Sequence, residues 1–170
     1  QIGFDMRDPY YVYCGLQDNG LWGGPSATFD SQGISNQDWF VVGGGDGFYV
    51  IVDPTNPNII YAESQWGYLV KSTNGGNNFF EALNGISSQE PTNWSTPVVM
   101  DPNNTSILYY GTNRLYRTTD GAANWNAISS NLALNSPITP GYGTLTTIAV
   151  APSNSDVIYV GTDDSKVWVT

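Results

Sequence analysis

The sequence contains no histidine and a single cysteine, Cys14, in 170 residues. Without histidine, Ser-His-Asp and Cys-His nucleophiles, His-ligated zinc and the usual proton shuttle near neutral pH are excluded, so any acid–base chemistry falls to carboxylates. One cysteine permits neither an internal disulfide nor a cysteine-cluster metal site. Charge is also scarce: Lys, Arg, Asp and Glu make up 12% of the chain, against ~25% in an average globular protein. Five basic residues face fifteen acidic ones, a formal charge of −10, so there is no basic surface to meet nucleic-acid phosphates or anionic lipid. Neither lysine closes a glycine-rich phosphate loop, since Val70 precedes Lys71 and Ser165 precedes Lys166. Long apolar runs are missing too. The uncharged stretch 121–155 is broken throughout by Ser, Asn, Pro and Gly, far from the ~20 continuous apolar residues of a membrane helix. Nucleic-acid partners and membrane insertion are therefore not expected.

What the chain does have is aromatic content, 14%, within an apolar fraction of 40%, and a repeat. Tyr13, Tyr61, Tyr109 and Tyr159 are separated by 48, 48 and 50 residues, a period that signals a propeller or solenoid. Asp53-Pro54, Asp101-Pro102 and Ala151-Pro152 each follow an apolar run and precede an Asn/Ser-rich turn, and a strand carrying the tyrosine comes next. A third strand is read at Leu21-Trp22, Leu69-Val70, Leu115-Tyr116 and Val167-Trp168, and a fourth begins near Trp39, Phe79 or Trp125. No segment has helical periodicity. The pattern predicts an all-β chain, a β-propeller fragment of roughly 3.5 four-stranded antiparallel blades. Residues 1–46 form a partial first blade, 47–95 and 96–144 the second and third, and 145–170 a truncated fourth, all of one propeller. Its open edges call for the rest of a propeller or a neighbouring chain.

The turns Ser72-Thr73-Asn74-Gly75-Gly76-Asn77-Asn78-Phe79 and Thr118-Thr119-Asp120-Gly121-Ala122-Ala123-Asn124-Trp125 resemble the Asp-box, Ser/Thr-x-Asp-x-Gly-x-x-Trp, of sialidase-like (BNR) propellers. Asn74 and Phe79 depart from the pattern in the first copy, and Ala122 replaces glycine in the second. The stretch Gly15–Trp22, the run from Asp38 to Phe48 and the segment from Asp53 to Ser72 are similar to bacterial secreted propellers described as BNR-repeat glycosyl hydrolases or sortilin-like proteins. The resemblance implies an extracellular or cell-surface setting. It also implies that Ser72, Asn74, Gly76, Phe79, Thr118, Asp120 and Trp125 stabilise blades on the face away from any active site.

On a propeller the two-to-three turns and the inter-blade loops share one mouth. Gln17, Asp18, Asn19, Asp46, Glu63, Gln65, Trp66 and Arg114 map there, with Asp163-Asp164 and two long loops at 87–95 and 129–142. Trp22, Trp39, Trp125 and Trp168 recur in strand positions and are expected in the core, and Cys14 is expected as a buried, inert thiol. Trp66 and Trp94 have no counterparts, so they are the candidates to stack on a sugar or anchor a partner. Asp18, Asp46 and Glu63 are the candidate acids. They suit glycoside hydrolysis by a carboxylate pair of the xyloglucanase-like type, Ca²⁺ ligation, or tight turns. A sialidase is disfavoured, because Arg114 and Arg117 share one segment and only Arg7 remains to complete three convergent arginines. The chain is thus expected to bind a glycan or a protein ligand without a cofactor, Ca²⁺ being the exception left open. A hydrolase and a structural component of an extracellular assembly are the alternatives.

Overall fold

A computed structural model describes residues 1–133 and 143–170. Runs rich in Val, Ile and Tyr fold into strands. The only helical pieces among the described residues are two single 3-10 turns, Asn36–Asp38 and Gln65–Gly67. The strands form four antiparallel sheets, each meandering in chain order. The first contains β1 (Ile2–Phe4), β2 (Tyr11–Leu16), β3 (Gly20–Pro25) and β4 (Phe40–Gly43). The second contains β5 (Gly47–Asp53), β6 (Asn56–Ser64), β7 (Tyr68–Ser72) and β8 (Phe80–Glu81). The third is β9 (Val98–Met100), β10 (Leu108–Gly111), β11 (Leu115–Thr118) and β12 (Asn126–Ala127), and the fourth is β13 (Leu145–Ala151), β14 (Asn154–Thr162) and β15 (Val167–Val169). The chain is an all-β propeller segment with three four-stranded blades and one three-stranded blade. The first sheet has one strand more than the partial blade expected from sequence. The Asp8-Pro9 turn after short β1 comes three residues later than the 48-residue period places it, which hid the strand, yet β1 pairs Ile2 with Cys14 and Phe4 with Val12.

Two compact units divide the chain, 1–81 and 82–170. In the first, the sheets β1–β4 and β5–β8 enclose Tyr13, Leu21, Val42, Val50, Val52, Ile60 and Ala62. Glycine permits the contact: a Cβ on Gly15 would lie 2.3 Å from the Phe48 carbonyl oxygen, and one on Gly3 would lie 2.4 Å from that of Val50. In the second unit, Tyr109, Leu115, Leu145, Ile148, Val150, Ile158 and Val160 form the core between the third and fourth sheets.

The repeating tyrosines keep one register, each on the second strand, but not one environment. Tyr13, Tyr61 and Tyr109 are buried, whereas Tyr159 is 50% exposed. Tyr13 and Tyr109 face the following sheet of their unit; Tyr159 lies on the outer face of the fourth sheet, opposite Ile158 and Val160. Four expectations of burial are corrected. Cys14 and Trp22 pair across β2 and β3 on the face of the first sheet opposite Tyr13, and both are half-buried rather than core. Trp39 is also half-buried, covering Gly24 on that face. Trp168 is 42% exposed because β15 has no fourth strand beside it among the described residues. Trp125 alone is fully buried, its indole N–H donating to the Ala82 carbonyl at 2.8 Å.

Candidate functional site

Three tight turns of the first unit meet at one end of its two sheets. The β2–β3 turn carries Gln17, Asp18 and Asn19, the β4–β5 turn carries Gly44, Gly45 and Asp46, and the β6–β7 turn carries Gln65 and Trp66. Backbone hydrogen bonds lock them together. Asp46 Oδ1 accepts the Asp18 N–H at 2.5 Å, Gln65 Oε1 accepts the Asp46 N–H at 2.7 Å, and the Asp46 carbonyl accepts the Gln65 N–H at 3.0 Å. A glycine is required at 45, where φ is +78° and a Cβ would come within 2.5 Å of Gln65 Oε1. The result is an open cleft of about 470 Å³ lined by Asp18, Asn19, Asp46 and Gln65, a floor of Gly43–Gly45, and the Trp22 edge. The Trp22 indole is held by donating to the Asn19 carbonyl at 2.6 Å.

Trp66 follows the lining residue Gln65 in the chain without itself lining the cleft, and it is 53% exposed with φ of +63°. The same left-handed turn position is occupied by Asp18 and Ser165 in other sheets. A bulky aromatic there carries backbone strain of about 1–2 kcal/mol, which surrounding structure must over-determine. An exposed indole gains little burial to offset it, and such strain concentrates at ligand-contacting turns.

Of the other expected site residues, Glu63 is not part of the cleft lining, and Arg114 and Trp94 belong to the second unit. Glu63 is fully buried. It lies within β6 two residues beyond Tyr61, on the same face of the strand, and its Oε2 accepts the Tyr49 N–H at 3.4 Å. Only Ser64 separates it from the turn, but Glu63 is still within β6 and buried, which is why its proximity in sequence misleads. Arg114, in the second unit, pairs with Glu90 at 3.4 Å, and Glu90 also accepts the Thr112 hydroxyl at 2.9 Å. Trp94, in the same unit, is 38% exposed in the loop before β9. Asp163 accepts the N–H groups of Gly143 and Thr144 at 2.8 and 3.1 Å, and Asp164 pairs with Lys166 at 2.5 Å. Most of the long loop 129–142 lies outside the described residues. Among the described residues, no three or more His, Cys, Asp or Glu gather in a metal-binding arrangement.

The opposite end of the sheets is structural. At 72–79, Ser72 Oγ accepts the Gly76 N–H at 2.9 Å and Asn74 Oδ1 accepts the Asn78 N–H at 3.0 Å. At 118–125, Thr118 Oγ1 accepts the Ala122 N–H at 3.1 Å, and Asp120 Oδ1 accepts those of Ala123 and Asn124 at 3.0 and 2.9 Å. Hydrogen bonds from Asn124 and Thr118 pull the Asp120 carboxyl down to about 2.

A second recurring group escaped the motif reading. Asp5, Asp53 and Asp101, spaced at 48 residues, are all buried where the first strand ends. Asp5 binds Arg7, whose Nη2 reaches the Tyr13 hydroxyl at 2.9 Å while its guanidinium lies 4.0 Å from the Tyr11 ring centroid. Burial pushes the Tyr13 phenol up to about 12, against the pull of Arg7. In the third sheet Arg117 pairs across the strand with Tyr109, and burial again raises the phenol. Lys71 holds that place in the second sheet, 5.4 Å from the Tyr61 ring centroid. The 48-residue period applied to Asp5 is the signal that reveals the group. Arg7 pairs with Asp5 within the first unit, and Arg114 pairs with Glu90 within the second.

No family model matches the sequence, and no curated protein matches it. Solved structures do. An ancestral GH74 enzyme matches 100% of this chain over 22% of its own, with a TM-score of 0.69 and 17% identity. The GH74 xyloglucanase from Xanthomonas campestris matches 95% of this chain over 25% of its own, with a TM-score of 0.60 and 16% identity. YCF48 bound to D1 peptide matches 97% of this chain over 51% of its own, with a TM-score of 0.51 and 15% identity. This chain therefore spans about a quarter of the length of the GH74 structures. At these identities the likeness is one of fold, and the fold is the β-propeller.

Proposed function

We propose that this chain is the ligand-binding part of an extracellular or cell-surface propeller of the BNR, Asp-box kind, and that its cleft binds a neutral glycan without cleaving it. The observation that carries this is the exposed indole of Trp66, held in a left-handed turn conformation in the residue that follows Gln65, itself part of a cleft lined by hydrogen-bonding groups. Indole faces cover the apolar face of a pyranose, while carboxylate, amide and exposed backbone groups meet its hydroxyls. The formal charge of −10 disfavours anionic chains. The GH74 likeness adds support for a glycan. Hydrolysis ranks below binding because it needs two carboxyls facing each other across the scissile bond. Asp46 already uses Oδ1 on the Asp18 backbone, and Glu63 is buried inside the sheet.

Affinity electrophoresis and calorimetry against xyloglucan, unsubstituted β-glucans and an anionic pectin test this. Trp66→Asn keeps a residue that tolerates the left-handed turn while removing the indole, and it is expected to weaken binding of a neutral glycan at least about tenfold. Unchanged affinity in that variant removes the cleft as the site. Release of reducing ends that Asp46→Asn abolishes makes the protein a hydrolase instead.

A further inference from the structure

The group of aspartate, arginine and tyrosine occurs in the first sheet and again in the third, and the two differ in one bond. In the first sheet the group is closed. Asp5 Oδ1 accepts the N–H groups of Arg7 and Tyr11 at 3.2 and 2.9 Å, Asp5 Oδ2 accepts the Arg7 Nε–H at 2.6 Å, and Arg7 Nη2 donates to the Tyr13 hydroxyl at 2.9 Å. In the third sheet the same parts are played by Asp101, Arg117 and Tyr109. Asp101 Oδ1 is engaged, accepting the Asn103 N–H at 2.8 Å and the Ser155 hydroxyl at 2.9 Å. Asp101 Oδ2 and Arg117 Nε are both buried, and neither has a hydrogen-bond partner among the described residues. These are the two atoms whose counterparts bond directly to each other in the first sheet.

The chain path accounts for the difference. Arg7 follows Asp5 by two residues, whereas Arg117 stands on β11, with β10 between it and the strand that leads to Asp101. Tyr109 pairs with Val99 on one side and with Arg117 on the other, and Asp101 lies two residues beyond Val99, so all three polar side chains belong to one face of the third sheet. That face packs in the core shared with the fourth sheet, where Tyr109, Val99 and Ile107 lie. Both groups also act on the phenol: burial raises the Tyr109 hydroxyl, Arg117 opposes the rise and Asp101 adds to it. Almost every buried donor and acceptor in a folded protein finds a protein or water partner, because leaving one unmade forfeits its hydration with no return.

We propose that one water molecule is bound between Asp101 Oδ2 and Arg117 Nε, donating to the carboxylate and accepting from the guanidinium. It completes in the third sheet the link that a direct bond makes in the first. Charge selects the occupant. An anion would face the Asp101 carboxylate and a cation the Arg117 guanidinium, while water is neutral, donates and accepts, and is held by two to four polar groups at such sites. The bonds then run from Ser155 on β14 through Asp101 and the water to Arg117 on β11, tying the two sheets of the second unit together. The site is separate from the ligand cleft, which belongs to the first unit.

The test uses the 170-residue chain labelled with nitrogen-15. Arg7, Arg114 and Arg117 are its only arginines, so Arg7→Lys and Arg114→Lys suffice to assign the three Nε–H resonances. Water-selective Overhauser spectra are expected to give a dipolar cross-peak from a long-lived water to the Arg117 Nε proton and none to that of Arg7, whose nitrogen bonds to Asp5. A crystal structure of the same chain is expected to place an ordered oxygen within about 2.7–3.2 Å of both Asp101 Oδ2 and Arg117 Nε. Three results overturn the proposal: no water cross-peak at Arg117, a direct bond between Arg117 and Asp101 in the crystal, or an anomalous peak at that position in crystals grown with bromide, which would make the occupant an anion.

Discussion

Gly15 is the tightest point between the two sheets that form the candidate cleft, and Gly15→Ala tests how that cleft is held. An added Cβ would lie 2.3 Å from Phe48 O, 2.5 Å from Phe48 N and 2.6 Å from Gly47 C. Ordinary contact needs about 3.5 Å, a shortfall of roughly 1 Å. All three obstacles are backbone, so no side-chain rotation relieves them; β2 and β5 must separate. A gap of 0.5–1 Å forfeits about a quarter to a half of each dispersion contact, and Tyr13, Leu21, Val42, Val50, Val52, Ile60 and Ala62 share that core. Overpacking costs about 1–3 kcal/mol, and the rigid obstacle puts Gly15→Ala near the top, about 3 kcal/mol. At about 4–8 °C per kcal/mol for a unit of this size, melting falls by roughly 12–24 °C. Gly44→Ala is the control, since a Cβ there meets nothing within 4 Å and its φ is not positive. It is expected to be neutral or to stabilise by up to about 1 kcal/mol through the unfolded chain. Melting and urea denaturation, followed by tryptophan fluorescence, measure both. Because β2 runs into Asp18 and β5 follows Asp46, the same separation should break the 2.5 Å link between them and weaken glycan binding. Equal midpoints for Gly15→Ala and Gly44→Ala would refute this account of the sheet contact.

The Asp120 carboxyl, depressed to about 2, contributes stability that is present above its unfolded value of ~3.9 and lost as pH falls through about 2. Asp120→Asn, which matches Asn74 in the other turn, is expected to keep the fold and flatten the acid limb of a denaturation series. Tyr13 behaves in the opposite sense: raised to about 12, it contributes stability that is present below ~10 and lost as pH rises through about 12. Tyr13→Phe should reduce, without abolishing, the alkaline fall in denaturation midpoint, since Tyr109 and Tyr116 are also raised. Ala122 adopts φ of +66° where the first turn has Gly76 at +91°. Ala122→Gly exchanges about 1–2 kcal/mol of left-handed strain for up to about 1 kcal/mol of glycine entropy, so a rise in urea midpoint worth up to about 1 kcal/mol is expected.

The period of the tyrosines, the Asp-Pro turns and the absence of helical spacing determined an all-β propeller with its strand order, because period-two alternation and turn chemistry are local properties of the chain. The turns at 72–79 and 118–125 were legible for the same reason: Ser72, Asn74, Thr118 and Asp120 bond to backbone only a few residues away. Local pattern also put Gln17–Asn19, Asp46 and Gln65 on neighbouring turns. Only tertiary structure decided that Asp46 joins Asp18 to Gln65, that Glu63 turns into the sheet, and that Arg114 is bound to Glu90. Those outcomes depend on which face of a strand a side chain takes and on what crosses from another strand or loop, and a one-residue step along a strand reverses the face. The same cause separates Tyr159 from its three repeats. Its register was readable from the sequence; its exposure depends on what covers the outer face of its sheet.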